Sequence, residues 1–353
     1  MKAVFGKKGL VGIDVGHYFT KIVYFENKKG VIELISAFKE RTPDGIVSAE
    51  GVDENIFSEF ISTVFSENKI RNKNVAISLN SSTVISKTLS MPLVADEEME
   101  QAIMWEAEQY APFGMEHVNA SYQLLERNEE KKEMTVLIAI TKKDIIESYK
   151  RALKKAKLNL KIVDVDVFAV ANAFFVNEPD KAKKHNLFVD VGHVSTKLVF
   201  TKNEIPVFSR YIDFGFSDML DEASDVLEIK KEEIDLIFEP SYKDKEKKES
   251  FLNFINDKMV MLYTQIQNSI TFYKANILDM EEDVENIVLV GCLGALTDRL
   301  NLEFAEELLK SKIITFNPFN FASKSGFSNE SVVLEDSSFY TIASGLSLRG
   351  LDL

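Results

Sequence analysis

Two aspartates, Asp14 and Asp190, each open almost the same ten-residue phrase: "DVGHYFTKIV" at 14–23 and "DVGHVSTKLV" at 190–199. The offset is 176 residues, eight of the ten pairs are identical or exchange one aliphatic for another, and the two phrases use two of the four histidines. An apolar strand that runs into Asp-Val-Gly-His can handle an anion. The glycine permits a tight turn whose backbone N–H groups point at phosphate oxygens. The carboxylate at the strand end stands where a hydrated Mg²⁺ would bridge those oxygens, because magnesium keeps most of its waters and takes few protein carboxylates. On this reading Asp14, Gly16, His17, Thr20 and Lys21 form one phosphate-binding set and Gly192, His193, Ser195 and Thr196 the other. Asp14 and Asp190 are the metal ligands, and Asp190 is the catalytic candidate. Phosphoryl transfer is largely positioning, so an oriented water beside these carboxylates would suffice for slow hydrolysis. Taken alone, D-x-G is a common turn signature. Its recurrence at half the chain length points instead to two related halves holding facing loops. For His17 and His193 a role as donors to phosphate competes with a plainer one, turn histidines exposed to solvent.

A third candidate is "NIVLVGCLGALTDRL" at 286–300, an apolar strand followed by Gly291, Cys292 and Gly294 and then a helix. This corner could admit a purine, although a single Gly-x-x-Gly is more often an ordinary strand-to-helix turn. No Ser/His/Asp nucleophile set and no Cys/His metal cluster is visible.

The elements that would position these residues are legible from periodicity. The first phrase begins a strand meander, followed by an amphipathic helix within "DENIFSEFISTVFSEN" and a strand "NVAISL". A different unit follows over 78–162: a strand, a helix carrying Met99, Ile103, Trp105 and Tyr110, a hairpin and a second helix. The strand "KIVDVDV" and the helix "FAVANAFFV" close the half. The second half repeats the meander, then adds helices at about 217–227 and 231–238, a charged loop "YKDKEKKES", a long helix and the 286–300 corner. The apolar stripe of the inserted helix reads as core more readily than as a partner surface. The fold class expected is α/β, with two lobes and a cleft between their strand ends. The lobes are placed at 1–77 with 163–180 and at 181–353, and the inserted subdomain at 78–162.

The chain has 353 residues, 45% hydrophobic, with a formal charge of −14. Such a balance argues against nucleic acid as a partner, since phosphate contacts need a concentrated basic face. With one cysteine no internal disulfide can form, and no apolar run is long enough to span a bilayer. The expected location is the cytosol, with any membrane attachment made through a partner.

In this order the three motifs resemble the actin-like ATPase superfamily, whose fold is a duplicated ribonuclease H-like pair of lobes. A closer resemblance is to the PilM family of type IV pilus assembly. It rests on "VGIDVGHYFTKIVYF", "SMPLVADEEMEQAIMWEAEQYAPF", "VDVDVFAVANAF", "IPVFSRYIDFG", "FNPF" and "TIASGLSLRG", which together cover nearly the whole chain. The resemblance implies ATP or ADP with Mg²⁺ between the lobes. It adds Gly215 and Asp235 to Gly291, Cys292 and Gly294 as the adenosine-binding set. The implied partner is the cytoplasmic tail of a PilN-like inner-membrane protein, held in a groove between the first lobe and the insertion. The chain departs from the family pattern at Cys292 and Leu293, where glycines are usual, at Phe216 beside Gly215, and at Asp235 and Phe238 in "IDLIF". These departures keep a nucleotide-free structural role open. A division protein similar to FtsA and a small-molecule kinase are the remaining alternatives, each lacking its expected feature, a basic terminal helix for one and a substrate-side catalytic aspartate for the other.

Overall fold

In the computed structural model, residues 9–111, 114–230, 233, 242–276, 283–295, 300–324, 327 and 337–351 are described. The first sheet contains β1 (Val11–Val15), β2 (Phe19–Lys28), β3 (Val31–Arg41), β6 (Asn74–Leu79) and β10 (Asn159–Val165), in the order β10-β6-β1-β2-β3. The second contains β11 (Asn186–Val191), β12 (Thr196–Lys202), β13 (Ile205–Ile212), β14 (Asn286–Val290) and β15 (Lys312–Thr315), in the order β13-β12-β11-β14-β15. In both, an antiparallel three-strand meander is extended by two parallel strands on the side of its first strand. The sequence repeat is therefore a repeat of sheet topology. Register repeats as well: Asp14 lies opposite Lys21, and Asp190 opposite Lys197.

Between the halves of the first sheet the chain makes a short ribbon, β4 (Val47–Ser48) and β5 (Gly51–Val52), and then α1 (Glu54–Glu67). Asp53 caps this helix by accepting from the amides of Asn55 and Ile56, and Phe57, Ile61, Val64 and Phe65 form its buried stripe. A separate antiparallel sheet has the order β7-β9-β8, built from β7 (Val84–Pro92), β8 (Val118–Asn128) and β9 (Glu133–Lys142). Helix α2 (Asp96–Glu108) covers it through Met99, Ile103 and Ala107, which join Val136 and Ile138 in one core. Trp105, read as part of the core stripe, is instead 77% exposed. Helix α3 (Lys143–Lys155) touches this unit at its start, where Lys143 Nζ donates to Glu116 O, but its buried face turns elsewhere. Its Ile145, Tyr149 and Leu153 enter the core of the first lobe beside Phe57. The separate sheet and its helix thus account for less chain than the span 78–162, because the buried face of α3 matches α1 and the first sheet.

Helix α4 (Asp166–Asn177) and α10 (Thr341–Leu348) lie in the middle layer. Val170, Phe174, Ile342 and Leu346 share a core with Phe188, Val199 and Val288 of the second sheet. Burial of each such side chain contributes roughly 1.5–3 kcal/mol. A short α5 (Pro179–Ala182) links α4 to the second sheet. Among the described residues the second lobe adds α6 (Phe216–Leu227), α7 (Lys245–Asn276), α8 (Gly291–Ala295) and α9 (Leu302–Leu309).

Two boundaries differ from the sequence reading. The strand "KIVDVDV" ends at Val165, and Asp166 opens α4. Its Oδ1 accepts from the amide of Val167, a local bond that favours a helix start over another strand residue. The charged "YKDKEKKES" is helical from Lys245. Asp244 supplies the reason, accepting from the amide of Lys247 through Oδ1 and of Lys248 through its carbonyl.

Candidate functional site

Each Asp-Val-Gly-His phrase folds as the tight connection between the first two strands of its sheet, β1 to β2 and β11 to β12. The glycine amides close these turns themselves, Gly16 N donating to Phe19 O at 3.2 Å and Gly192 N to Ser195 O at 2.9 Å. The two threonines are fully buried and bonded within the fold. Thr20 Oγ1 lies 2.9 Å from Thr42 Oγ1, and Thr196 Oγ1 donates to Phe214 O at 2.8 Å. Both therefore tie the hairpin to the end of the third strand, and Ser195 is buried beside Thr196. The two threonine hydroxyls expected to donate to phosphate are engaged in holding the turn.

The structure brings the two turns together. The His193 ring of the second lobe packs on Tyr18 of the first, with centroids 4.6 Å apart, and the Arg41 guanidinium lies over the other partner ring, 3.3 Å from the Tyr18 centroid. Burial, and then the positive charge of Arg41, hold the pKa of His193 below the usual histidine value. His193 is thus half-buried in an inter-lobe contact and not a free turn histidine. His17 stays exposed on the surface, with enough neighbouring protein, together with Lys197 and Lys21, to lower its pKa as well.

Behind these turns lies a buried cluster of charge. Lys21 Nζ is 2.6 Å from Asp14 Oδ2. Lys197 Nζ is 2.8 Å from Asp166 Oδ2 and 3.6 Å from Asp190 Oδ2. All five side chains are between 4% and 15% exposed, so these charges face each other largely without water. Burial pushes the Asp190 carboxyl above the usual range against the pull of Lys197. Burial also opposes the charge on Lys197, but Asp166, Asp190 and Asp14 outweigh it and keep the ammonium firmly protonated. Asp166 connects the halves. Its Oδ1 accepts from the amides of Ser81 and Val167 in the first half, while its Oδ2 faces Lys197 of the second.

Asp166 and Lys197 were not among the residues picked from sequence. Signals for both existed. Lys197 is the repeat partner of Lys21, and "VDVDV" sets two aspartates two residues apart in an otherwise apolar run. The other aspartate of that run, Asp164, faces Arg349 of the terminal "GLSLRG" at 3.2 Å, and its burial raises its pKa.

The third motif meets the second turn. Gly291 has φ +66°, and a Cβ there would lie 2.5 Å from Asp190 Oδ1, so only glycine lets β14 turn past the carboxylate. The residues that follow β14 form a helical turn, α8. Cys292 is half-buried against the second-lobe core, and Gly294 backs onto Ser338, whose Oγ donates to Gly291 O at 3.0 Å. Gly215 opens α6, donating to Asp218 Oδ2. The next two amides, of Phe216 and Ser217, donate to Gly192 O and His193 O. Asp235, Phe238 and the Leu293 side chain lie outside the described residues.

Mg²⁺ does not fit this arrangement. The two expected ligands, Asp14 and Asp190, each have a lysine ammonium on the facing oxygen. Among the described residues no group of three or more His, Cys, Asp or Glu could hold a metal ion. A cavity of about 440 Å³ opens beside the turns, with the separate sheet on one side and the first lobe on the other. His17 and Val194 of the two turns, Ser48, Asn80, Lys142 and Tyr211 are among the residues lining it, and the carboxylate cluster is not.

Duplicated sheets, facing hairpin turns and a strand-to-helix corner against the second turn define the actin-like ATPase fold. The chain belongs to the family described as type IV pilus assembly protein PilM, whose sequence model matches residues 12–351. In structure it is similar to the PilM-PilN type IV pilus biogenesis complex, with 20% identity, 98% of this chain and 100% of that one covered, and a TM-score of 0.83. It is also similar to the ethanolamine utilization protein EutJ from Carboxydothermus hydrogenoformans, at 12% identity over 97% of this chain and 89% of that one, with a TM-score of 0.57. Among the described residues no helix is long and apolar enough to cross a membrane.

Proposed function

We propose that this protein is a scaffold of the type IV pilus machine that binds ATP or ADP between its lobes and grips the cytoplasmic tail of a PilN-like inner-membrane protein. The observation that carries the nucleotide part is the apposition of the two repeated turns, His193 on Tyr18, with Gly291 bringing the third motif against Asp190. Lys21 is the phosphate ligand of the first turn, and the corner at Gly291, Cys292 and Gly294 takes the base. Asp190, sealed beside Lys197, is poorly placed to accept a proton from water, so hydrolysis is slow at most.

Two observations support the tail. A solved relative in fold is a complex with PilN, and the 440 Å³ cavity lies where the first lobe meets the separate sheet. An extended peptide suits such a place, since its backbone can pair with a strand edge while alternate side chains enter the cavity. The protein would then work in the cytosol and reach the membrane through that tail.

Each aspartate of the charge cluster faces a lysine of the same chain, which favours the rival reading of a nucleotide-free structural member. Calorimetry with ATP and ADP separates the two. Binding that Lys21→Ala weakens about tenfold, roughly 1.4 kcal/mol, is the expected result. Folded protein that takes up neither nucleotide would establish the structural reading.

A further inference from the structure

We propose that Lys197 occupies the place of a divalent cation in the inter-lobe site, so that the site excludes metal and meets a phosphate-bearing ligand with the ammonium groups of Lys21 and Lys197. The ligand half of this statement rests on the nucleotide reading above; the exclusion of metal does not.

The placement follows from register. On neighbouring antiparallel strands, directly opposed residues project to the same face of the sheet, so the pairs Asp14↔Lys21 and Asp190↔Lys197 each put an ammonium beside a strand-end carboxylate. Lys21 stays within its own lobe. Lys197 crosses to Asp166 at 2.8 Å while remaining 3.6 Å from Asp190, and so sits between carboxylates contributed by both halves of the molecule. A cation that bridges acidic groups from two elements in a closed site is the role a magnesium ion performs elsewhere. Mg²⁺ requires near-octahedral oxygen ligands and room for its waters. Here the facing oxygens of Asp14 and Asp166 already have ammonium nitrogens within 2.8 Å, and Lys197 is only 12% exposed. A divalent ion could enter only by displacing an ammonium from a carboxylate that it already faces, in a site with little room for the ion's waters. A phosphate group carries the opposite charge and accepts from ammonium as readily as it coordinates metal.

The test uses the full chain and Mn²⁺ alone, followed by electron paramagnetic resonance, with ATP affinity measured separately in EDTA and in Mg²⁺. Wild-type protein should leave the free Mn²⁺ signal undiminished, and its ATP affinity should differ less than about twofold between the two conditions. Lys197→Gln should take up one Mn²⁺ per chain, and its ATP affinity should become metal-dependent by about tenfold or more. Lys197→Arg, which keeps the charge, should again exclude Mn²⁺, and matching melting curves for the two variants separate the effect from misfolding. If Lys197→Gln fails to fold, Lys197→Met replaces it, with the same gain of Mn²⁺ expected. Stoichiometric Mn²⁺ uptake by the wild type that Asp190→Asn abolishes would overturn the proposal, as would a Lys197→Gln protein that folds and still excludes Mn²⁺. Failure of the wild type to bind ATP under both conditions would overturn the nucleotide reading, and the Mn²⁺ arm would still decide the exclusion of metal.

Discussion

Lys21 and Lys197 are equivalent positions of one repeated phrase, yet they make different connections. Lys21 closes a pair inside its own hairpin, whereas Lys197 leans away from the strand-end aspartate towards Asp166 of the other half. The histidines diverge in the same way, His17 remaining exposed while His193 is packed on Tyr18. That contact has a pH signature. The groups facing His193 are Arg41 and His17 from the first lobe and Asp218 and Asp221 from α6, and the balance with burial lowers its pKa from the ordinary 6.5. As pH falls through 6.5 the unfolded chain binds this proton before the folded one does, so stability is full above that value and is lost as the solution becomes more acidic, down to the folded-state pKa. His193→Gln should flatten the dependence of urea midpoint on pH just below the ordinary histidine value of 6.5. A slope unchanged from the wild type would show that the ring does not sense the contact.

At the scale of elements, small residues decide where helices can sit. Helix α10 approaches α4 so closely that a Cβ on Gly345 would lie 1.8 Å from Ala169 O. Replacing a helical glycine by alanine ordinarily gains about 1 kcal/mol in helix propensity. Here the obstacle is a backbone carbonyl inside a packed layer, and overpacking of about 1–3 kcal/mol or more wins. Gly345→Ala should therefore destabilise the protein despite its better propensity, by about 2 kcal/mol in urea unfolding with near-native far-ultraviolet dichroism. A gain in stability would mean that α10 can shift. The periodicity of "TIASGLSLRG" makes a helix legible, but its partner is not. Buried on every side at Thr341 through Leu348, the segment has no solvent-facing side to say which neighbour it meets. The joint at Asp166 is hidden in the sequence for a related reason: apolar alternation extends through Val167, and the helix start depends on a bond to an aspartate whose second oxygen faces a distant lysine.

For the whole molecule, the formal charge of −14 sets how it can reach a membrane. An acidic surface is repelled by anionic lipid, each basic residue near such a surface being worth only about 1 kcal/mol of attraction. In a flotation assay the protein alone should stay with the dense fraction when mixed with anionic vesicles, and should float when the vesicles display a PilN-like tail. Flotation on bare vesicles would show a lipid-binding face. The acidic charge is unevenly placed, since the inter-lobe site gathers two lysines against three aspartates within a few ångströms.

What the sequence determined by itself was everything that a local period or a repeat can encode. The offset of 176 residues implied two copies of one sheet, and both copies share strand order and register. Alternation and i, i+4 spacing located β6, α1 and α2, because burial of one face is a local constraint on residue type. Tertiary structure alone decided the occupancy of the site. Whether Asp14 and Asp190 face a metal or an ammonium depends on which charges other elements bring within about 4 Å, where Coulomb energies in a poorly hydrated interior become large. Those elements are β12, carrying Lys197, and the first turn of α4, carrying Asp166, some thirty residues apart in sequence and 2.8 Å apart at their charged atoms. No helical or strand period relates two residues that far apart.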